Sequence, residues 1–389
     1  MLDFIYNTPT KVFFGKDTHK QVGKIIAEYG YKKIMMQYGK GSIKKSGLYD
    51  EVMSSLKENG IEVVEMGGVE PNPKLSFVRK AIEVAKKEKV ELILAVGGGS
   101  SLDSCKGTAL GAVTDEDVWN FFMGKETPKS ALPVACILTH SAAGSEMSNS
   151  AVLTNTELNM KKGVSTEFNR CKFAIMNPEL TFSVSKYQTA CGIVDMMTHT
   201  IERYFTVCPD TDITDRIAEG LLKAIMQNAK TVMENPTDYN ARANIMWASS
   251  LAHNSLTGCG RENALAVHQL EHAVSGIYDS VAHGAGLAVL YPEWGKYMVK
   301  HNPARFALFA RNVMDVVEVD DVKAGILGME KLRKFFNSLG MPSKLSEFGI
   351  EKDSIEALAL ACTFNKTRVV KSYIPLDFEV CKDIFELCF

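Results

Sequence analysis

The sequence carries almost no excess charge: 44 Lys and Arg residues balance 46 Asp and Glu residues, and the formal net charge is −2. This balance does not predict an extended basic surface for a nucleic-acid backbone or an anionic membrane. The N-terminus lacks a basic segment followed by an apolar one, and no apolar run approaches the ~18 residues that span a bilayer. We therefore expect no nucleic-acid or membrane partner, and a small molecule as the ligand.

Paired cysteine motifs are also absent. The nine cysteines are an odd number, and no C-x-x-C spacing occurs among them. This pattern argues against a disulfide framework and against a zinc ribbon, and it is typical of free thiols in a reducing compartment. We expect a cytoplasmic protein.

Short apolar runs alternate with helical patterns in the first half of the chain. The run at residues 33–38 predicts a buried strand, and the runs at residues 61–66 and 92–96 predict two further strands. Residues 48–56 and 75–85 have apolar positions at the helical spacing that covers a sheet. This alternation predicts a parallel α/β layer whose ligand lies beyond the carboxyl ends of the strands.

The second half, from about residue 185, has long helical patterns and few strand signals. At about 150 residues per domain, the length suggests two domains. We predict an α/β, Rossmann-like dinucleotide-binding domain over residues 1–184 and an all-helical domain, for metal and substrate, over residues 185–389.

A glycine-rich turn at residues 97–107 follows the most apolar predicted strand. Glycines without a Cβ let backbone N–H groups approach a pyrophosphate at a helix N-terminus. Leu102 takes the place of the last glycine of the G-x-G-x-x-G fingerprint. The turn favours a dinucleotide site, and a purely structural turn is the alternative.

A second glycine-bearing turn, at residues 38–45, contains no acidic residue. Enzymes specific for NAD usually have an acid after an early strand, where it accepts the ribose hydroxyls. This turn has a serine and three lysines instead, which suit a 2′-phosphate. We predict a preference for NADP(H) over NAD(H), and a solvated basic loop is the alternative.

A carboxylate and an imidazole stand four residues apart in an apolar segment without proline, at Asp195 and His199. On a helix both side chains would leave the same face and form half of a metal site. The other half would come from two of His268, His272 and His283, and spacing alone favours His268 and His272. One carboxylate with three imidazoles suits Fe²⁺ or Zn²⁺ and is too rich in nitrogen for magnesium or calcium.

Several stretches together resemble one family. Nearly end to end, the chain is similar to the iron-containing (group III) alcohol dehydrogenases, and within them to the branch of NADPH-dependent aldehyde reductases and butanol dehydrogenases. The resemblance implies a dehydroquinate synthase-like architecture and a homodimer. The matching stretches are residues 7–15, 38–45, 67–73, 95–103, 192–199, 241–247 and 268–292.

The resemblance also implies site residues. Its metal ligands fall on Asp195, His199, His268 and His283, so that His272 becomes the histidine near the nicotinamide, for which we predict a role in proton transfer. The cofactor-binding positions that it implies are Gly39, Ser42, Lys44, Gly97, Gly98, Ser100, Asp103, Thr139, Lys161 and Leu180.

The activity that the resemblance implies is reversible hydride transfer between NAD(P)H and an aldehyde or primary alcohol (EC 1.1.1.-), with one divalent metal as Lewis acid. The alternative is an NAD- and metal-dependent lyase or cyclase of the dehydroquinate-synthase type. That type has one Glu and two His as ligands and needs a basic cluster for a phosphate substrate. Arg203 and Arg261 are the candidates for such a cluster here.

Overall fold

The computed structural model describes residues 1–262 and 264–389, and these residues form two compact units. The α/β unit contains Asn7–Val184 and Thr237–Ser250, and the helical unit contains Met1–Tyr6, Ser185–Pro236 and Leu251–Phe389. Among the described residues, no helix has both the length and the apolar character that a membrane crossing requires.

Two stretches lie outside the ranges predicted for their units. Residues 237–250 belong to the α/β unit, because Met246 packs in a core beside the sheet. Residues 1–6 belong to the helical unit, where the N–H of Leu2 donates to the carbonyl of Gly260 at 2.9 Å. Each stretch belongs to its unit because of tertiary contacts, which cannot be inferred from the order of residues along the chain.

The α/β unit begins with alternating strands and helices. Its strands are β1 (Lys11–Phe14), β2 (Lys33–Gly39), β3 (Glu62–Val69), β4 (Leu92–Gly97), β5 (Val134–Leu138), β6 (Ser150–Asn155), β7 (Met160–Ser165) and β8 (Phe173–Met176). Its helices within residues 7–184 are α1 (Val22–Glu28), α2 (Ser42–Lys45), α3 (Leu48–Glu58), α4 (Leu75–Glu88), α5 (Gly99–Gly111) and α6 (Trp119–Phe122).

The described strands form one six-stranded parallel sheet, in the order β1-β8-β5-β4-β2-β3, and a separate antiparallel hairpin of β6 and β7. Apolar side chains of α1 and α3 pack on one face of the large sheet, and those of α4 and α5 pack on the other. The predicted parallel α/β fold is confirmed. The hairpin of β6 and β7 was not predicted from the sequence.

The connections of the large sheet change direction between β2 and β4, which pair from Ile34–Leu92 to Tyr38–Val96. From β2 the chain continues to β3 on one side, and from β4 it continues to β5 on the other side. In open α/β sheets the ligand crevice lies outside the carboxyl ends of the strands at such a point. Both glycine-bearing turns begin there, at the ends of β2 and β4.

The helical unit has α7 as its most buried helix: every residue from Thr189 to Tyr204 is buried. A helix buried on all sides lies at the centre of a packed unit. The side chain of Ser185 caps it by accepting a hydrogen bond from the N–H of Gln188 at 3.2 Å. The helices are α7 (Lys186–Tyr204), α8 (Asp212–Glu234), the end of α9 (Tyr239–His253), α10 (Ala266–Ile277), α11 (His283–Met298), α12 (Pro303–Asn312), α13 (Asp321–Ser338), α14 (Ile355–Cys362) and α15 (Phe378–Leu387).

Candidate functional site

Three imidazoles surround one carboxylate oxygen in the helical unit. The Nε2 atom of His199, one turn along α7 from Asp195, lies 3.4 Å from Oδ1 of Asp195. The Nε2 atoms of His268, on α10, and of His283, the first residue of α11, lie 3.6 and 3.8 Å from the same oxygen. The four side chains that the resemblance implied as ligands therefore converge, although three helices contribute them.

The spacing and the unsatisfied polar atoms fit a metal ion. Metal–nitrogen and metal–oxygen bonds of ~2.0–2.2 Å place neighbouring ligand atoms of a tetrahedral site roughly 3.3–3.6 Å apart. Oδ1 of Asp195 and Nε2 of His268 are buried and have no hydrogen-bond partner within the described part of the chain. Since buried polar atoms are almost always satisfied, a cation bound between these two atoms would supply the partner that each of them needs.

Two buried carboxylates stand behind two of the imidazoles. Oε2 of Glu202 contacts Nδ1 of His268, and Oε2 of Glu271 contacts Nδ1 of His283. A carboxylate that accepts the Nδ1–H of a histidine fixes the tautomer and leaves the Nε2 lone pair for a metal. Both carboxylates thus orient their imidazoles toward Asp195.

The charges around the site leave room for a divalent cation. When the imidazoles are neutral, as binding of a metal requires, the buried carboxylates of Asp195, Glu202 and Glu271 contribute three negative charges, and the buried guanidinium of Arg203 contributes one positive charge. The net charge of this group is therefore two negative charges. Since uncompensated buried charge is strongly unfavourable, a divalent ion suits the site better than a monovalent one.

Burial affects two of the imidazoles differently. Burial, with the neighbouring His253 and His268, holds the pKa of His199 well below its usual value, so this imidazole is neutral. Burial also lowers the pKa of His268, but the carboxylates of Glu202 and Asp195 outweigh it and raise this pKa to about 9. The raised pKa of His268 is caused by the negative charge of neighbouring carboxylates, and the same charge would attract a metal cation.

Two glycines let α11 approach its neighbours. A Cβ on Gly284 would lie 2.1 Å from the carbonyl oxygen of Cys191, in the backbone of α7, and one on Gly286 would lie 2.9 Å from Cγ of Glu271. His283 is the first residue of α11, and both glycines lie within this helix. They serve close helix packing, which brings His283 toward Asp195.

His272 lies apart from the group around Asp195, in a cluster with Glu271 and His283. Its ring centroid is 5.6 Å from that of His283. The choice of ligands from spacing alone, His268 with His272, therefore differs from the arrangement in the structure. The spacing of His268 and His272 places both on one face of α10, but it does not show which of the two lies near Asp195 on α7.

The glycine-rich turn at the end of β4 leads directly into α5. The N–H of Thr139, just after β5, donates to the carbonyl of Gly97 at 3.0 Å and ties the two strand ends together. Gly98 precedes the first helical residue, Gly99, where an added Cβ would meet no atom within 4 Å. The N-terminus of α5, including the backbone of Ser100, thus has the open, glycine-lined approach that a pyrophosphate requires.

The turn at the end of β2 folds partly into α2. Gly39 ends the strand, and Ser42 begins the one-turn helix. Lys40 pairs with Glu70 at 2.7 Å, and the Nζ atom of Lys44 lies 4.6 Å from the centroid of the Tyr49 ring. Lys40 and Lys44 therefore have partners within the protein, and a phosphate would compete with those partners for the two lysines.

Three other cofactor positions of the resemblance have internal contacts. Asp103, on α5, accepts hydrogen bonds from Ser145 Oγ at 2.7 Å and from the N–H of Val152 at 3.0 Å, and burial raises its pKa. Lys161, on β7, donates to the side chain of Asn72 at 3.1 Å. Leu180 packs against a core cluster of the sheet. All three side chains therefore have contacts within the α/β unit.

Sequence reasoning missed three residues that contact the candidate metal ligands: Glu202, Glu271 and His253. The first has a recognisable signal, because Asp195, His199 and Glu202 follow the i, i+4, i+7 spacing of one helix face. Glu271 has only its position three residues after His268. His253 has no such signal, since a different helix carries it.

The two arginines that the lyase alternative requires are already engaged. Arg203 donates to the carbonyl of His199 at 2.7 Å and to that of Ala252 at 3.1 Å. Arg261 forms an ion pair with Asp215. Neither arginine offers a phosphate site that is independent of these contacts.

Comparison with known proteins identifies the family. The family described as "Iron-containing alcohol dehydrogenase" matches residues 9–178, and "Fe-containing alcohol dehydrogenase family, C-terminal" matches residues 189–387. The chain belongs to the iron-containing alcohol dehydrogenase family, and the predicted resemblance is confirmed.

Relatives match over nearly the whole length. The chain is 42% identical over 388 residues to NADH-dependent butanol dehydrogenase A of Clostridium acetobutylicum, with 99% of each chain covered. It is 34% identical to the NADPH-dependent aldehyde reductase YqhD of Escherichia coli, with 92% of each covered. The crystal structure of NADH-dependent butanol dehydrogenase A from Thermotoga maritima superposes with a TM-score of 0.96 at 39% identity, covering 100% of this chain and 99% of that one.

Proposed function

We propose that the chain is a metal-dependent oxidoreductase that transfers hydride between NAD(P)H and an aldehyde or primary alcohol. The observation that carries the proposal is the convergence of three imidazole nitrogens on Oδ1 of Asp195, at 3.4 to 3.8 Å, in a chain of this family. The relatives named as butanol dehydrogenases and as an aldehyde reductase support this substrate class. The lyase alternative has no support among them.

In this proposal the two domains predicted from the sequence have separate tasks. The α/β unit binds the dinucleotide, with Gly97, Gly98 and Ser100 presenting backbone N–H groups to the pyrophosphate. The helical unit holds the metal through the carboxylate of Asp195 and the imidazoles of His199, His268 and His283. When bound, the divalent metal supplies Lewis acidity toward the substrate oxygen, and the nicotinamide supplies or accepts the hydride.

His272 is the proposed path for the proton. Hydride transfer to an aldehyde leaves an oxygen that must gain a proton, and alcohol oxidation must release one. An imidazole that is partly exposed can exchange a proton with water and pass it on near neutral pH. His272 is half-buried and lies beside His283, which makes it the histidine best placed for this role.

The test of the function is absorbance at 340 nm with simple aldehydes. The purified protein should oxidise NAD(P)H steadily in the presence of butanal and shorter or longer straight-chain aldehydes, and should form NAD(P)H from the matching alcohols. An enzyme that recycles its cofactor internally would show no net change. Absence of net oxidation with every aldehyde, in metal-loaded protein, would contradict the proposal.

The preference for NADP(H) is part of the proposal and rests on the turn at residues 38–45. Lys44→Ala should lower kcat/KM for NADPH about tenfold and leave kcat/KM for NADH nearly unchanged. A hydrogen bond to a charged group is worth roughly 1.5–3 kcal/mol, and we expect the lower end of this range because Lys44 is exposed. Since about 1.4 kcal/mol corresponds to a tenfold change in affinity, the expected loss is about tenfold. Lys57→Ala, at an exposed position of α3 outside this turn, is the control. Equal use of NADH and NADPH by the unaltered enzyme contradicts the preference.

The metal is proposed to be Fe²⁺ or Zn²⁺. Both accept one carboxylate with three imidazoles, and a site of this kind binds several first-row metals in an order that availability can override. Elemental analysis of protein purified without chelator identifies the metal, and reloading of chelator-treated protein shows which ions restore turnover.

We also propose a cytoplasmic homodimer. Every cysteine of the described chain is a free thiol, as in reducing compartments. Strand β1 lies at an edge of the sheet, and Phe14 at its end contacts Trp247 edge to face at 6.4 Å, with both rings about 40% exposed. An open strand edge beside an exposed aromatic pair favours association with a second copy.

A further inference from the structure

A fifth histidine lies behind the candidate metal site. His253, at the end of α9 and buried, places its Nδ1 atom 2.9 Å from Nδ1 of His199. The two ring centroids are 3.9 Å apart, with the ring planes at 66°. Because Nε2 of His199 lies toward Asp195, His253 contacts the opposite nitrogen of the ligand ring.

Arg203 fixes which atom of the pair is the donor. Its Nη2 atom lies 3.2 Å from Nδ1 of His253, and a guanidinium can only donate. Nδ1 of His253 therefore accepts, and the hydrogen of the contact with His199 lies on Nδ1 of His199. That tautomer leaves the Nε2 lone pair of His199 facing Asp195.

The partner of His199 thus differs in kind from the partners of the other two imidazoles. His268 and His283 each contact a carboxylate, which raises the basicity of a ligating imidazole. His199 contacts an imidazole nitrogen that accepts a hydrogen bond from the guanidinium of Arg203. This arrangement orients His199 without adding negative charge to it.

We infer that His253 is a positioning residue that orients His199 as a metal ligand and, with Arg203, makes it the weakest of the three imidazole ligands. The inference rests on the proposed function, since it requires the metal that we place at Asp195. It assigns to the end of α9 a role in setting metal affinity. His253 itself touches neither substrate nor cofactor in this scheme.

The test is a series of three variants at position 253, titrated with Zn²⁺ and Co²⁺ against a chromophoric chelator. His253→Leu removes the acceptor and should weaken metal binding about 10- to 100-fold, the usual cost of losing such a partner. His253→Asn places an amide oxygen near the position of Nδ1 and should bind metal within about threefold of the unaltered protein. His253→Asp supplies a carboxylate and should bind metal more tightly than the unaltered protein.

The visible spectrum of the Co²⁺-loaded protein provides a readout that a purely structural role would not change. His253→Leu should alter its d–d bands, and His253→Asn should preserve them. His301→Leu, which makes the same replacement at an exposed histidine of the helical unit, should change neither the spectrum nor the affinity. If the Leu variant does not fold, the relative metal affinities of the Asn and Asp variants still test the role of His253.

The outcomes separate this inference from the proposed function. No binding of any divalent metal by the unaltered protein removes the proposed function itself. Metal binding by the unaltered protein with equal affinity in the Leu and Asn variants overturns only the role of His253. Weaker binding in the Asp variant than in the Asn variant contradicts the claim that His199 has the weakest orienting partner.

Discussion

Asp195→Ala should abolish aldehyde reduction and leave the protein without its metal. Asp195 provides the only carboxylate among the four proposed ligands, and its Oδ1 atom is the point on which three Nε2 atoms converge. The substitution removes one proposed metal ligand. It also lowers the net negative charge of the group formed by Asp195, Glu202, Glu271 and Arg203 from two to one. We expect kcat to fall by about 10³-fold or more, because Lewis-acid stabilisation supplies several kcal/mol and 1.36 kcal/mol is tenfold. Turnover at 340 nm and elemental analysis check both effects.

The control is Asp212→Ala, which removes an exposed carboxylate from the first turn of α8. It should retain metal and activity. Asp195→Ala should still bind NAD(P)H, measured by the fluorescence of the reduced cofactor, because the proposed dinucleotide site belongs to the other unit. Full activity in metal-free Asp195→Ala protein would show that the chemistry does not depend on this cluster.

The parallel sheet was predictable because its inner strands, such as β4 and β5, are buried on both faces and read as continuous apolar runs, for example at residues 92–96. The hairpin was not predictable in the same way. Strand β7 contains two lysines and a glycine, and only one of its six positions is buried, so its pattern resembles a loop. What defines it is the pairing with β6, from Ser150–Ser165 to Asn155–Met160.

The candidate metal site shows the same limit. The helix pair Asp195 and His199 is local and follows from spacing alone. The third and fourth side chains come from α10 and α11, so their identity depends on how these helices pack. Spacing favoured His272, the resemblance indicated His283, and the structure brings His283 to 3.8 Å from Asp195. The packing of the helices decides between His272 and His283, and this packing cannot be read from the periodicity of the sequence.

The packing of α11 depends on a position where the sequence has no side chain. Gly284 follows His283, and a Cβ there would overlap the carbonyl of Cys191 at 2.1 Å, well inside contact distance. A backbone atom of a buried helix cannot rotate away as a flexible side chain can, so α11 must move outward. His283 would move with it, away from Asp195.

Gly284→Ala should therefore lower both stability and metal affinity. Overpacking of a well-packed interior costs typically about 1–3 kcal/mol of unfolding free energy, which urea denaturation of the metal-free protein measures. Metal affinity should fall at least about tenfold, because a ligand that moves by a fraction of an ångström no longer fits the site. Titration with Zn²⁺ against a chelator gives this second value.

Gly220→Ala is the matched control, since Gly220 lies in α8, is exposed, and has no atom within 4 Å of an added Cβ. There the same replacement should raise the unfolding free energy by roughly 0.5–1 kcal/mol, because glycine is unfavourable in a helix interior. The two variants should thus change stability in opposite directions. A Gly284→Ala protein as stable as the unaltered chain, with unchanged metal affinity, would mean that close contact between α7 and α11 does not hold His283 in place.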